Sequence, residues 1–264
     1  MRGILIFAFN IPQVDYFKIA EWTAKRAEHY LQLPVTVVTN KQSLPKDHYQ
    51  FDHCIVVENE SNSNSTAPQW INKGRHLAYD LSPYDETLVL DVDYVINSDQ
   101  LLKICDFGTD FCCHDTAEFL LQPSIKTERL SRWSHDTLWA TVMYFKKARR
   151  AKQIFDAMSM IEKNYHHYAN LHHFAGGQFR NDYALTLALH LINGHVWDNR
   201  DFIPWKLLHV DKQVMIDARS EIESSEFKLY MQTERRGKSR LEYITVSDTD
   251  FHMMNKRNLL EIIG

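Results

Sequence analysis

Four short apolar runs are separated by segments with helical spacing: GILIFAF (3–9), PVTVVTN (34–40), CIVVE (54–58) and TLVL (87–90). Runs that short, apolar on both faces and rich in branched residues, are strands covered on both sides, as in parallel sheets between layers of helix. Between the first two, Phe17, Ile19, Ala20, Trp22, Ala24, Ala27 and Leu31 form the buried stripe of a helix over 15–31, with Asp15 as its N-cap. A right-handed crossover then lays the first two strands side by side. Further along, the pattern predicts a helix over 70–82, a turn at SPYDE (82–86), and strands at 111–113 and 140–145. Helices follow at 148–164 and 181–192, the second stopped by Gly194, and LEYITV (241–246) alternates as a half-exposed strand does. With no internal repeat and no clear linker, the expectation is one α/β domain, a Rossmann-like mixed sheet flanked by helices. The polar stretch ENESNSNSTAP (58–68) reads as a surface loop near the substrate.

Composition narrows the classes of function. A hydrophobic fraction of 44% in 264 residues suffices for a full core, and a net charge of −4 gives no overall attraction to nucleic acid. The basic runs KKARRAK (146–152) and RRGKSR (235–240) read as solvated faces. Cys54, Cys105, Cys112 and Cys113 lack CxxC spacing and read as reduced core thiols of a cytoplasmic protein. The apolar part of MRGILIFAFN is too short for a signal peptide, and no run approaches the ~18 residues that span a bilayer. No Gly-x-Gly-x-x-Gly follows the first strand and no Gly-x-x-x-x-Gly-Lys occurs, which excludes the usual dinucleotide and P-loop motifs.

The chemistry concentrates at ETLVLDVDY (86–94). Asp91 and Asp93 stand at the end of a buried strand, where ligands of open α/β sheets bind. Alternate residues of an extended segment face one way, so both carboxylates would face one site. Two adjacent carboxylates resist full ionisation unless a cation joins them, and Mg²⁺ or Mn²⁺ prefers such oxygen ligands. An Asp-x-Asp alone is weak evidence, since a second one, Asp248-Thr-Asp250, follows a half-exposed strand. The bland reading of the first is a strand end at solvent.

The order helix NKGRHLAYDL, turn SPYDE, strand TLVL and then DVDYVINSDQLL resembles the nucleotide-sugar-binding half of GT-A glycosyltransferases, the family-8-like transferases in flavour. ATVMYFKKARRAKQIFD, RNDYALTLAL and DFHMMNK resemble later segments of that family, in the same order, over most of 3–256. The resemblance implies a GT-A-like fold with a nucleotide-binding half, 1–105, and an acceptor and donor-sugar half, 106–264. It implies a Mn²⁺ or Mg²⁺ ion held by Asp91, Asp93 and His252 against the diphosphate of a donor, with a UDP-sugar as first choice. Asp91 is also read as a donor contact, and Lys256 as facing phosphate. The family's His-x-x-Gly-x-x-Lys reads here His252-Met-Met-Asn-Lys256, without the glycine and with shorter spacing.

Asp182 and Asn181 open the helix that faces the donor sugar in that family, while an N-cap role explains Asp182 equally well. Lys73 and Arg75, on the helix before the acidic pair, are candidates to neutralise diphosphate, or else members of a solvated face. Phe9, Asn10 and Tyr16 follow the first strand, where a base would dock; the rings are alternatively core. The pairs His166-His167 and His172-His173 read as exposed loop residues. The implied activity is transfer of a sugar, with retention of configuration favoured, to an acceptor hydroxyl of a glycan, lipid, metabolite, protein or modified DNA base. The rivals are a nucleotidyltransferase that makes nucleotide sugars, whose Gly-rich first loop is missing here, and a non-catalytic nucleotide-sugar or partner-binding protein of the same fold.

Overall fold

The computed structural model describes residues 1–47, 51–58, 72–121, 125–126, 128–175, 178–196, 198–217, 225–235 and 238–264. β1 (Arg2–Phe7) leads through α1 (Tyr16–Leu31) to β2 (Val35–Thr39) and β3 (His53–Val56). A 3-10 helix (Asn72–Leu77) and α2 (Ala78–Leu81) precede β4 (Glu86–Leu90), β5 (Tyr94–Val95) and a second 3-10 helix (Gln100–Phe107). Then come β6 (Phe111–His114), β7 (Ala117–Phe119), β8 (Ile125–Lys126) and β9 (Trp139–Lys146). The helices α3 (Arg149–Lys163), α4 (Tyr165–His172) and α5 (Asn181–Ile192) follow. The chain ends with β10 (Leu207–Val210), β11 (Met215–Asp217), β12 (Glu226–Arg235), β13 (Lys238–Ser247), β14 (Phe251–Met253) and α6 (Lys256–Ile262).

The fold is mixed α/β. A six-stranded sheet runs β3-β2-β1-β4-β9-β6. Its first four strands pair in parallel, and β9 is antiparallel to both β4 and β6. Period-two alternation sends Ile4, Ile6, Leu88 and Leu90 to one face, with Phe17, Ile19 and Ala24 of α1. Leu5, Phe7 and Val89 go to the other, with Ile154, Phe155 and Met158 of α3 and Leu185 and Leu189 of α5. Both faces are dry, which is why these strands read as unbroken apolar runs; each such side chain contributes roughly 1.5–3 kcal/mol by leaving water. The sheet takes β6 and β9 from the 106–264 half, so the two halves share one sheet.

A second sheet, β5-β14-β10-β7-β8, lies beyond the end of β4, and β11-β12-β13 forms a third. Arg26 of α1 anchors the junction. Wholly buried, it donates to Ile96 O at 2.6 Å and Asn97 Oδ1 at 2.7 Å, beneath the rings of Trp22, Tyr30 and Phe227. Asp250 of the second Asp-x-Asp is also buried here and accepts from Asn97 N at 2.7 Å and Ser98 Oγ at 3.0 Å. That carboxylate is a structural clamp.

Most element positions agree with the sequence pattern to within two residues. Asp15 caps α1 by accepting from Lys18 N, and Gly194 adopts a left-handed φ of 63° after α5. The histidine pairs, however, do not lie on a loop: 166, 167 and 172 belong to α4, and His173 is its left-handed C-cap. Cys54 is exposed on β3, not a core thiol, whereas the other three cysteines are buried; all four are free. The loop expected near the substrate lies outside the described residues apart from Glu58. Among the described residues no helix is long and apolar enough to cross a membrane.

His114 carries a pH signature of this packing. Its Nδ1 lies 2.9 Å from Trp205 O, and burial lowers its pKa to about 4 against that favourable contact. A folded-state pKa below the unfolded value means that its contribution, complete above about pH 6.5, is lost as pH falls through about 4, roughly 3 kcal/mol in all. Urea unfolding at pH 7 and pH 4.5 should show a smaller acid-induced loss for His114→Asn than for the parent. Equal losses would remove His114 from the account.

Candidate metal centre

The acidic pair is presented by a turn, not by an extended strand. β4 ends at Leu90, Asp91 N still donates to Thr141 O at 2.8 Å, and Tyr94 N closes on Asp91 O at 3.0 Å. Val92, between the acids, is buried in the α1 core, while Thr23 Oγ1 donates to its carbonyl at 2.8 Å. Both carboxylates still face one site, held there by the turn instead of by strand alternation.

His252 arrives through strand pairing. β14 runs antiparallel to β5, with His252 opposite Tyr94, and Met253 N donates to Asp93 O at 2.9 Å. His252 Nε2 thereby lies 3.3 Å from Asp93 Oδ2 and 3.9 Å from Asp91 Oδ2, and ligand atoms of the three residues all fall within 4.8 Å of one another. Adjacent ligands of an octahedral ion at about 2.1 Å are about 3 Å apart, so the two histidine–carboxylate separations need to close by less than about an ångström and no pair by more than about 2 Å. Two carboxylate oxygens and one imidazole nitrogen fit Mn²⁺, and Mg²⁺ less well because of the nitrogen.

The imidazole has a support that the sequence did not advertise. β10 pairs in parallel with β14, setting His209 beside His252, with 3.2 Å between their Nδ1 atoms. With a cation bound between them, a proton on His252 Nδ1 shared with His209 would leave the Nε2 lone pair directed at the ion. A histidine inside the apolar strand LLHV was the available clue.

Two cations, the buried Arg75 and the half-buried Lys256, complete the cluster. Lys256 Nζ lies 2.5 Å from Asp93 Oδ2, and Asp93 is almost wholly buried. Burial pushes the Asp93 carboxyl up, but the Lys256 ammonium and the His252 ring outweigh it and hold the group well below the usual carboxylate range. Oδ2 makes charge contacts with both, but no well-angled hydrogen bond. Arg75 pairs with Asp91 Oδ1 and donates to Ala140 O at 2.8 Å. It is buried, so the solvated-face reading of this residue is wrong. Burial lowers its pKa, opposed by the charges of Asp182 and Asp93.

Asp182 is not an N-cap. Arg180 holds that position, and Asp182, one residue inside α5, accepts from Ala140 N at 2.9 Å and from Arg180 Nη2 at 3.4 Å. It therefore borders the cluster through Arg75 and β9. Asn181 is the first residue of α5 and half-buried. Tyr16 is half-buried at the start of α1; burial raises its pKa, and Lys256 and Asp93 are the charges that act on it. Phe9 is buried in the core beneath α3 and α5. Asn10 is a brace: its Oδ1 accepts from Phe17 N at 2.9 Å, and its N donates to Ser43 Oγ at 2.7 Å. The side chain of Lys73 lies outside the described residues.

No family model and no curated protein matches the chain. Among solved structures it is similar to the galactosyltransferase LgtC in complex with donor and acceptor sugar analogues, at 15% identity and a TM-score of 0.45, over 72% of this chain and 70% of that one. It is also similar to the glycosyltransferase GlyE of Streptococcus pneumoniae TIGR4, at 11% identity and a TM-score of 0.43. There the match covers 71% of this chain and 43% of GlyE, so the chain spans less than half the length of that protein. The bifunctional IspDF of Campylobacter jejuni matches at 11% identity and a TM-score of 0.39, over 70% of this chain and 47% of that one.

Removing Lys256 leaves a buried carboxylate with reduced compensation. Lys256→Met should lower stability in EDTA by about 3 kcal/mol, and Mn²⁺ should recover more stability in the variant than in the parent. Denaturant titrations with and without Mn²⁺ measure both; equal Mn²⁺ effects in the two proteins would show that Lys256 and the ion do not share Asp93.

Proposed function

We propose that the protein is a metal-dependent glycosyltransferase that moves a sugar from a nucleoside diphosphate sugar, with UDP the first candidate, to an acceptor hydroxyl. The observation that carries this reading is the meeting of Asp91, Asp93 and His252, contributed by distant parts of the chain, in one group of donors flanked by Arg75 and Lys256. The ordered sequence resemblance to GT-A transferases supports the same assignment of roles.

A Mn²⁺ or Mg²⁺ ion bound by these donors would supply Lewis-acid stabilisation of the negative charge that develops on the departing diphosphate. The chain's own groups do the rest. Arg75, fixed by Ala140 O, orients Asp91 and adds positive field. Lys256, on a flexible stem, neutralises Asp93 in the absence of an ion and is the candidate to meet phosphate oxygens in its presence. His209 holds the His252 tautomer. Asp182, anchored to β9 at the border of the cluster, is the candidate for the donor sugar, and retention of configuration is the expected outcome.

A panel of nucleotide sugars with Mn²⁺ should include one from which nucleoside diphosphate is released. Asp93→Asn, nearly isosteric, should reduce that release at least about 100-fold while near-UV circular dichroism is kept. His209→Ala should weaken Mn²⁺ binding about 10–100-fold by calorimetry. Full Mn²⁺-supported turnover in Asp93→Asn would overturn the metal assignment. Neither binding heat nor release with any donor would overturn the transferase reading.

A further inference from the structure

A second group of ligand-bearing side chains lies away from the acidic pair. His190 sits on α5 one turn beyond Thr186, whose Oγ1 accepts from Leu138 N at 2.8 Å and docks the segment before β9 onto the helix. The same segment carries His135, whose ring stacks on that of His190 with centroids 3.5 Å apart and planes 20° apart. His195 follows the end of α5. Gly194 and His195 both take left-handed φ, 63° each, and His195 N donates to His190 O at 2.7 Å. That curl returns the His195 ring alongside the other two, at 5.8 Å from His135 and 6.3 Å from His190. His172, at the end of α4, borders the group, its ring 5.8 Å from His135 and its Nδ1 3.1 Å from Ser134 Oγ.

We propose that His135, His190 and His195 form a second metal site, one for a borderline transition-metal cation of the Zn²⁺ class, that ties the segment before β9 to the C-terminal end of α5. One ring nitrogen from each lies within 4.8 Å of the others. A tetrahedral ion with Zn–N bonds of about 2.0–2.1 Å needs nitrogens roughly 3.4 Å apart, so side-chain rotation that unstacks His135 from His190 has to close the gap. The chemistry of the donors decides the class of ion. Three neutral imidazoles without a carboxylate suit Zn²⁺, Ni²⁺ or Cu²⁺ and do not suit Mg²⁺ or Ca²⁺. His190 is buried, with the rings of His135 and His195 alongside it. Asp136, next in sequence to His135, supplies a nearby negative charge. His190 lies eight residues from Asp182 on one helix, about 12 Å along the axis, so the two candidate sites share a rod without sharing ligands.

The test uses untagged full-length protein carrying Asp93→Asn, which disables the first site and separates the outcome from that of the proposed activity. Titration with Co²⁺ should give the intense visible absorption of a tetrahedral ion, saturating at one equivalent and displaced by Zn²⁺. Zn²⁺ should raise Tm by about 5 °C at saturating concentration. His135→Gln and His190→Gln should each abolish the Co²⁺ band, whereas His167→Gln, an exposed histidine on α4, should leave it intact. His190 is buried, so its replacement risks the fold; His195→Gln removes an exposed ligand and should weaken Co²⁺ binding at least tenfold with circular dichroism unchanged. Absence of a saturable band in the Asp93→Asn protein, or a band that survives His135→Gln and His195→Gln, overturns the site.

Discussion

The short ladder between β5 and β14 organises the acidic corner. Two residue pairs, Tyr94 with His252 and Val95 with Phe251, join a segment near residue 95 to one near residue 252. Slippage by one residue would turn His252 to the opposite face and set Met253 or Phe251 beside the acids, because side chains alternate along a strand. The register is held on both flanks: Met253 N meets Asp93 O on one side, and Asp250 grips Asn97 and Ser98 on the other. β10 then adds His209 to the far edge of β14. The position of the candidate ligands thus depends on a few backbone hydrogen bonds and one buried carboxylate, Asp250.

Charge balance explains the choice of cations around the acids. Asp93 is buried deeply enough that an unpaired carboxylate there would cost several kcal/mol. Lys256 and His252 compensate it, and Arg75 compensates Asp91. The two cations are not equivalent. Arg75 is pinned by a second contact to Ala140 O, as a planar fork allows, whereas Lys256 is a point charge on a flexible stem beside the start of α6. One cation is thus fixed by two contacts, whereas the other has a stem long enough to exchange partners.

Much of the fold was legible in the sequence because the central strands are buried on both faces and the helices on one. Unbroken apolar runs and a 3.6-residue stripe are direct consequences of that burial, so β1, β2, β4, β9, α1, α3 and α5 lie where the pattern put them. α4 was missed: half of YHHYANLH is polar, and it is a helix through Tyr165 and Ala169, which join the core on the α3 and α5 face of the sheet. The N-cap reading of Asp182 fails for a related reason. The start of α5 is set by Arg180, and the carboxylate turns instead to a backbone N–H of β9, a partner more than forty residues away in sequence.

By itself the sequence determined the strand before the acids, the acids themselves and the helix that carries Asp182 and His190, since each follows from local periodicity and residue type. Tertiary structure decided how His252, named in the sequence only through a family resemblance, reaches the carboxylates, and which of the other histidines meet one another. His252 reaches Asp93 through a ladder between distant segments, and His135 reaches His190 because a loop docks on Thr186. Those pairings depend on strand order and helix packing, which arise from the total burial of the chain and leave no mark at the residues they bring together.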